Sequence, residues 1–77
     1  MKDSADWDGL RLFLAVARAG GLGPAARQTG VSAPTLGRRM VKLEHQLNRR
    51  LFDRRQTGYG LTESGRVLYE QVQEMEA

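Results

Sequence analysis

Between Ser32 and Asn48 the apolar residues Leu36, Met40, Leu43 and Leu47 recur at i, i+4, i+7 and i+11. At about 100° per residue they gather on one face of a helix. This is the clearest helix in the chain. Ser32 is a good N-cap residue, and Pro34 suits the first turn, where its missing N–H would be unpaired anyway. The opposite face carries Pro34, Arg38 and His45. Lys42 and Arg49 flank that face, and Arg39 lies to one side of it.

Three more helical segments and a hairpin surround this one. Asp8 is an N-cap candidate for a first helix whose stripe is Leu10, Phe13, Leu14 and Ala17, ended by Gly20-Gly21. A short second segment opens at Gly23-Pro24 and stops at Gly30, with Val31 as a buried turn residue. After Asn48, Leu51–Arg54 and Tyr59–Thr62 read as two short strands, with Arg55-Gln56-Thr57-Gly58 as the turn. Thr62 caps a last helix, with Leu68, Val72 and Met75 at i, i+4 and i+7, running to the final residue. No repeat or linker divides the 77 residues, so one small, mainly α domain is expected over 1–77.

Composition removes several classes of function. There is no cysteine, which excludes disulfide scaffolds, thiolate catalysis and thiolate zinc sites. A single histidine, His45, cannot build a multi-histidine metal site. Apolar runs are too short for a membrane span, and the polar start Met1–Asp6 is not expected to be a signal peptide. No paired catalytic groups, phosphate loop or cofactor motif is present, so neither an enzyme nor a bound cofactor is expected.

Charge is concentrated in one block. Residues 27–55 hold eight arginines and lysines against Glu44 and Asp53, a balance of +6 within a chain of net charge +3. A short helix, a turn at Gly30 and a longer helix with a polar outer face form the helix-turn-helix plan. Its second helix can enter the major groove, which is about 12 Å wide. The hairpin, rich in arginine and glycine, then reads as a wing on the flanking backbone or minor groove. The plainer alternative is a solvated cationic face, or a module that binds an acidic protein.

The residues also resemble a known family. Leu10–Ala17, Ala25-Ala26, Val31–Met40, Leu43–Leu47, Leu51–Arg54 and Leu61–Gly65 are similar, in order and spacing, to the N-terminal DNA-binding domain of LysR-type transcriptional regulators. The resemblance implies a winged helix-turn-helix, with the helix-turn-helix at about 24–48, the wing at about 51–62 and a C-terminal dimerisation helix at about 63–77. It implies sequence-specific binding of double-stranded DNA by a dimer on an imperfect palindrome. It also implies an effector-binding domain that is absent here, so the chain is expected to be a domain excised from a bacterial, cytoplasmic regulator. A small-molecule effector would act only through that absent domain. The nearest alternative is another winged-helix family, such as the molybdate-responsive regulators.

Three positions depart from the family pattern. Ala33 stands where glutamine is usual, Gly37 where serine is usual, and Gly23 where a hydroxyl residue usually opens the second segment. Alanine offers a base only apolar contact. Glycine inside a helix costs about 1 kcal/mol relative to alanine, although it allows another backbone to come close.

The expected DNA-contacting residues are Ser32, Ala33, Pro34, Thr35, Gly37, Arg38, Arg39 and Lys42 on the recognition helix, with Arg54, Arg55, Thr57 and Tyr59 in the wing. Arg38 is expected in the major groove, and Pro34 is placed to touch a base methyl. Glu44 is expected to make a helix salt bridge. Trp7, Leu68, Val72 and Met75 are the expected dimer interface, because no later element covers the last helix. The partners expected are therefore DNA and a second copy of the chain, or a tetramer in a full-length protein. Glu70, Glu74 and Glu76 are expected to weaken self-association by repulsion near a twofold axis.

Overall fold

The computed structural model describes residues 7–55 and 58–76, apart from the side chain of Arg55. Four helices and one hairpin follow in the order α1 (Trp7–Ala19), α2 (Leu22–Thr29), α3 (Ala33–Leu47), β1 (Phe52–Arg55), β2 (Gly58–Leu61) and α4 (Glu63–Glu76). The fold is a winged helix-turn-helix, mainly helical, with a two-stranded antiparallel wing.

The apolar stripes meet as their periodicity requires. Phe13 and Val16 of α1, Ala25 of α2, and Leu36, Met40 and Leu43 of α3 form one buried cluster, closed by Leu51 and Phe52 at the root of the wing. Phe52 joins the layers, with its ring 5.4 Å from Phe13 and 5.3 Å from Tyr59. Each large side chain so buried contributes about 1.5–3 kcal/mol. Among the described residues, no polar or charged side chain is buried with them.

Backbone signals set the element ends. Gly30 takes the left-handed conformation (φ 79°) and its N–H donates to Ala26 O, stopping α2 as expected. Thr29 fixes the following turn: its hydroxyl donates to Ala25 O at 2.9 Å and accepts from Val31 N at 3.1 Å. Ser32 caps α3, and Asn48 ends it in the left-handed region. Thr62 caps α4 by accepting from Gly65 N at 3.0 Å.

Several boundaries differ from the sequence reading. Asp8 is not the N-cap of α1, since Trp7 is already helical; Asp8 sits in the first turn, where a carboxylate suits the helix dipole. The second helix starts at Leu22, ahead of Gly23-Pro24, because Gly21 supplies the cap position with no side chain to announce it. Both strands are shifted by one residue, to 52–55 and 58–61. Leu51 N–H is taken by the Glu44 carboxylate, and the Thr62 side chain is committed to capping. Arg55 and Gly58 pair as strand residues, and Gln56 and Thr57 lie outside the described residues. The last helix ends at Glu76, and Ala77 also lies outside them.

Candidate nucleic-acid interface

The first turn of α3 is tied together by side chains. Ser32 Oγ accepts from Thr35 N at 3.3 Å and donates to Thr35 Oγ1 at 3.0 Å. Arg38 Nη2 donates to the same Thr35 oxygen at 3.2 Å. Thr35 Oγ1 thus accepts twice and keeps its own O–H to donate outward. The link holds the exposed Arg38 beside the helix N-terminus, whose dipole favours an anion. Pro34, Val41, Lys42 and His45 are exposed on the same helix, while Ala33, Thr35, Gly37 and Arg39 are half-buried.

Beside this face stands the wing, tied at its root to α3 and on its far strand to the turn between α1 and α2. Glu44 Oε2 accepts from Leu51 N at 2.7 Å and Phe52 N at 3.1 Å. Glu44 therefore makes no helix salt bridge among the described residues; its carboxylate binds the root of the wing instead. On the far strand, Tyr59 N donates to Gly20 O at 3.1 Å, which seats β2 on the turn between α1 and α2. Gly58 permits that approach, because a Cβ there would run into the Gly20 carbonyl and its φ of +134° suits glycine alone. Tyr59 packs on the core cluster, with the Arg54 guanidinium 5.9 Å from its ring centroid.

Between α3 and the wing lies an open groove of about 530 Å³, lined by Leu22, Ala33, Pro34, Gly37, Arg38, Val41, Arg54 and Tyr59. Six of these are among the expected contact residues. Leu22 and Val41 were missed. Val41 carried a signal, being an apolar residue near the phase of Arg38; Leu22 carried none once the second helix was started at Gly23. Gly37 does not admit another backbone: a Cβ there would meet Leu22 Cδ1 at 3.3 Å.

The cations on and near α3 and the wing are largely unpaired among the described residues. Among the described residues no ion pair engages Arg38, Lys42, Arg49 or Arg54. Arg39 differs, lying 3.9 Å from the Asp8 carboxylate. Of the wing candidates, the Arg55 side chain and all of Thr57 lie outside the described residues.

On the far side of the molecule two arginines are paired internally. Arg18 donates to Tyr69 Oη at 3.4 Å and to Glu76 Oε1 at 2.9 Å; these two contacts hold the guanidinium pKa above its ordinary value. Arg66 pairs with Glu63 at 2.7 Å and Glu70 at 3.3 Å. Two of the three carboxylates expected to repel a second copy are thus paired within their own chain. The stripe on α4 is also not bare. Val72 is 1% exposed and Leu68 packs on the core, because α4 lies against α1, whose Leu14 is likewise buried. What remains outward is Met75 at 60%, Val67 at 39% and, at the start of α1, Trp7 at 42%.

Comparison with known proteins places this geometry. Residues 7–66 match the bacterial regulatory helix-turn-helix proteins of the lysR family. The chain belongs to that family. The match decides against another winged-helix family. The chain is 38% identical over 66 residues to the HTH-type transcriptional regulator TfdT of Cupriavidus pinatubonensis, covering 86% of this chain and 29% of TfdT. It is 41% identical to the HTH-type transcriptional regulator BudR of Klebsiella aerogenes, covering 79% of this chain and 43% of BudR. Among solved structures it resembles a complex of the CbnR DNA-binding domain with DNA, at 33% identity and a TM-score of 0.88, covering 94% of this chain and 83% of that one. It thus spans less than half the length of TfdT and of BudR. Among the described residues no helix is long and apolar enough to cross a membrane.

Proposed function

We propose that this chain is the DNA-binding domain of a LysR-type transcriptional regulator and binds duplex DNA sequence-specifically, with α3 in the major groove and the wing on the flanking backbone or minor groove. The observation that carries this reading is the cationic surface around α3 and the wing, where Arg38, Lys42, Arg49 and Arg54 have no internal ion pair among the described residues. Likeness to a domain solved on DNA supports it. Arg38 reads a base edge, helped by Thr35, while Ser32, Lys42, Arg54 and Arg55 hold phosphates; Thr57 belongs to the wing contacts. Catalysis has no part in this reading, and the protein works where the DNA is, in the bacterial cytoplasm.

The functional unit is a twofold dimer. Trp7 and Met75, with Val67, offer exposed apolar area for it, and Leu68 lies at its margin. Two recognition helices then face successive major grooves about 34–36 Å apart, or a multiple of that. In a full-length protein an effector domain would follow, with a dimer or tetramer as the assembly. The test is selection of bound duplexes from a random pool, followed by sedimentation of the protein with a selected duplex. Inverted half-sites and two copies per site are expected. One copy per site at saturation, without inverted half-sites, would leave a monomeric binder.

A further inference from the structure

The last helix is held along its length. At its start, Thr62 N donates to Leu51 O at 3.0 Å, and a Cβ on Gly65 would run into the same carbonyl, so α4 begins directly on the wing root. In its middle, Val72 is buried where α4 lies against α1. At its end the hold is polar. The Arg18 guanidinium, in the last turn of α1, donates to Glu76 Oε1 at 2.9 Å and to Tyr69 Oη at 3.4 Å, and lies 6.0 Å from the Tyr69 ring centroid. Tyr69 and Glu76 are seven residues apart, about two turns of helix, so one guanidinium spans the C-terminal half of α4.

An exposed contact of this kind adds little to the stability of a monomer. Its effect lies in direction. The apolar contact at Val72 would let α4 pivot about its start, because such contact is not directional. A guanidinium carries its donors in a rigid planar fork, so partners two turns apart fix both the tilt and the roll of the helix. The lever is long. The 14 residues of α4 span about 21 Å, and a tilt of about 10° would carry the far end by roughly 3.5 Å. One base-pair step along DNA is about 3.4 Å. The same helix turns Val67 and Met75 outward, towards the proposed twofold interface, so a tilt of α4 passes into the separation of the two recognition helices.

We infer that Arg18 is a positioning residue: through Tyr69 and Glu76 it fixes the angle between α4 and the rest of the domain, and thereby selects the spacing of the two half-sites. The inference rests on the reading of the chain as a dimeric DNA binder and adds the residue that tunes its spacing. Arg18 acts from the side opposite α3 and the wing, without touching the DNA.

The test uses a selected duplex whose spacer between half-sites is lengthened or shortened by single base pairs, together with a duplex carrying one half-site. Binding of the 77-residue chain is followed by fluorescence anisotropy. One base pair added or removed should cost the unaltered chain about ten-fold in affinity, a part of the avidity gained by engaging both half-sites. In Arg18→Ala that penalty should fall to about three-fold or less, while single half-site affinity and the urea midpoint stay nearly unchanged. Glu76→Ala removes the other end of the contact and should flatten the profile likewise. The Arg18→Glu/Glu76→Arg protein should restore it, since the pair re-forms with its charges exchanged. A profile as sharp in both alanine variants as in the parent, or a parent indifferent to spacing, would overturn the inference while leaving DNA binding intact. A loss of single half-site affinity in Arg18→Ala at an unchanged urea midpoint would place Arg18 on the DNA and overturn its positioning role. One copy per selected site, without inverted half-sites, would instead overturn the dimer reading on which it stands.

Discussion

The two sides of this small domain differ in how many of their cations are paired. Among the described residues, two of the three arginines on α1 and α4 are paired, Arg11 being the exception, whereas on α3 and the wing only Arg39 lies near a carboxylate. On the side of α1 and α4, Arg18 is engaged by Tyr69 and Glu76, and Arg66 by Glu63 and Glu70. On the side of α3 and the wing, Arg38, Lys42, Arg49 and Arg54 have no carboxylate partner among the described residues. The acidic residues are not scarce: nine stand against twelve basic ones. Apart from Asp53 on β1 they are placed elsewhere, and Glu44, the one carboxylate on α3, is turned to the backbone of Leu51 and Phe52. Unpaired cations repel one another in the free protein. Their segregation is intelligible if a polyanion supplies the missing charge.

The contrast implies that substitutions on the two sides should fail in different assays. The largest effect belongs to Gly65, at the start of α4, where a Cβ would run into the Leu51 carbonyl. Gly65→Ala should lower stability by about 2–4 kcal/mol, seen as a shifted urea midpoint. An unchanged midpoint would mean that the wing root yields easily. Next comes Arg38→Ala, which should cost about 1–3 kcal/mol of binding on a selected duplex and less on random DNA. Its stability should stay within about 0.5 kcal/mol of the parent, as for other surface sites. Equal binding losses on both DNAs would make Arg38 a phosphate contact.

Smaller effects sharpen the contrast further. Arg54→Ala should weaken all sequences alike and lower the salt slope by about one unit. A slope that does not move would place the wing off the DNA. Smallest is Arg66→Ala on the opposite side. Exposed ion pairs contribute about 0–1 kcal/mol, so its urea midpoint should barely change, and its DNA affinity should not change at all. A clear loss of DNA affinity in Arg66→Ala would erase the distinction between the two sides.

Local pattern made much of this legible in the chain. The stripe from Leu36 to Leu47, the Ser32 cap and the Gly30 stop each declare themselves within a few residues, and the structure keeps them. Several misreadings involve partners outside the local segment, and others lie at element ends that no side chain announces. The last helix was expected to lie bare, but its cover comes from α1, and the Arg18–Glu76 pair spans 58 positions. Both strands sit one residue nearer the turn than expected, and at the first of them Glu44, seven residues earlier, holds Leu51 N–H. Gly21 hid the start of α2 by capping it without a side chain. For the groove, Pro34 and Arg38 were legible from helical phase. Val41 shares nearly the same phase but was passed over, and Leu22 joins them only once α2 is placed beside α3.

The most direct test is the salt dependence of binding to a selected duplex and to a scrambled one of the same composition. If Lys42, Arg54 and Arg55 of two copies each neutralise a phosphate, roughly six contacts give a slope of about −5 in log K against log salt. The selected duplex should stay tighter than the scrambled one across the series, because base reading by Arg38 does not depend on counterion release. Equal affinity for the two duplexes, or binding that salt leaves unchanged, would contradict the assignment of the α3 face to DNA recognition.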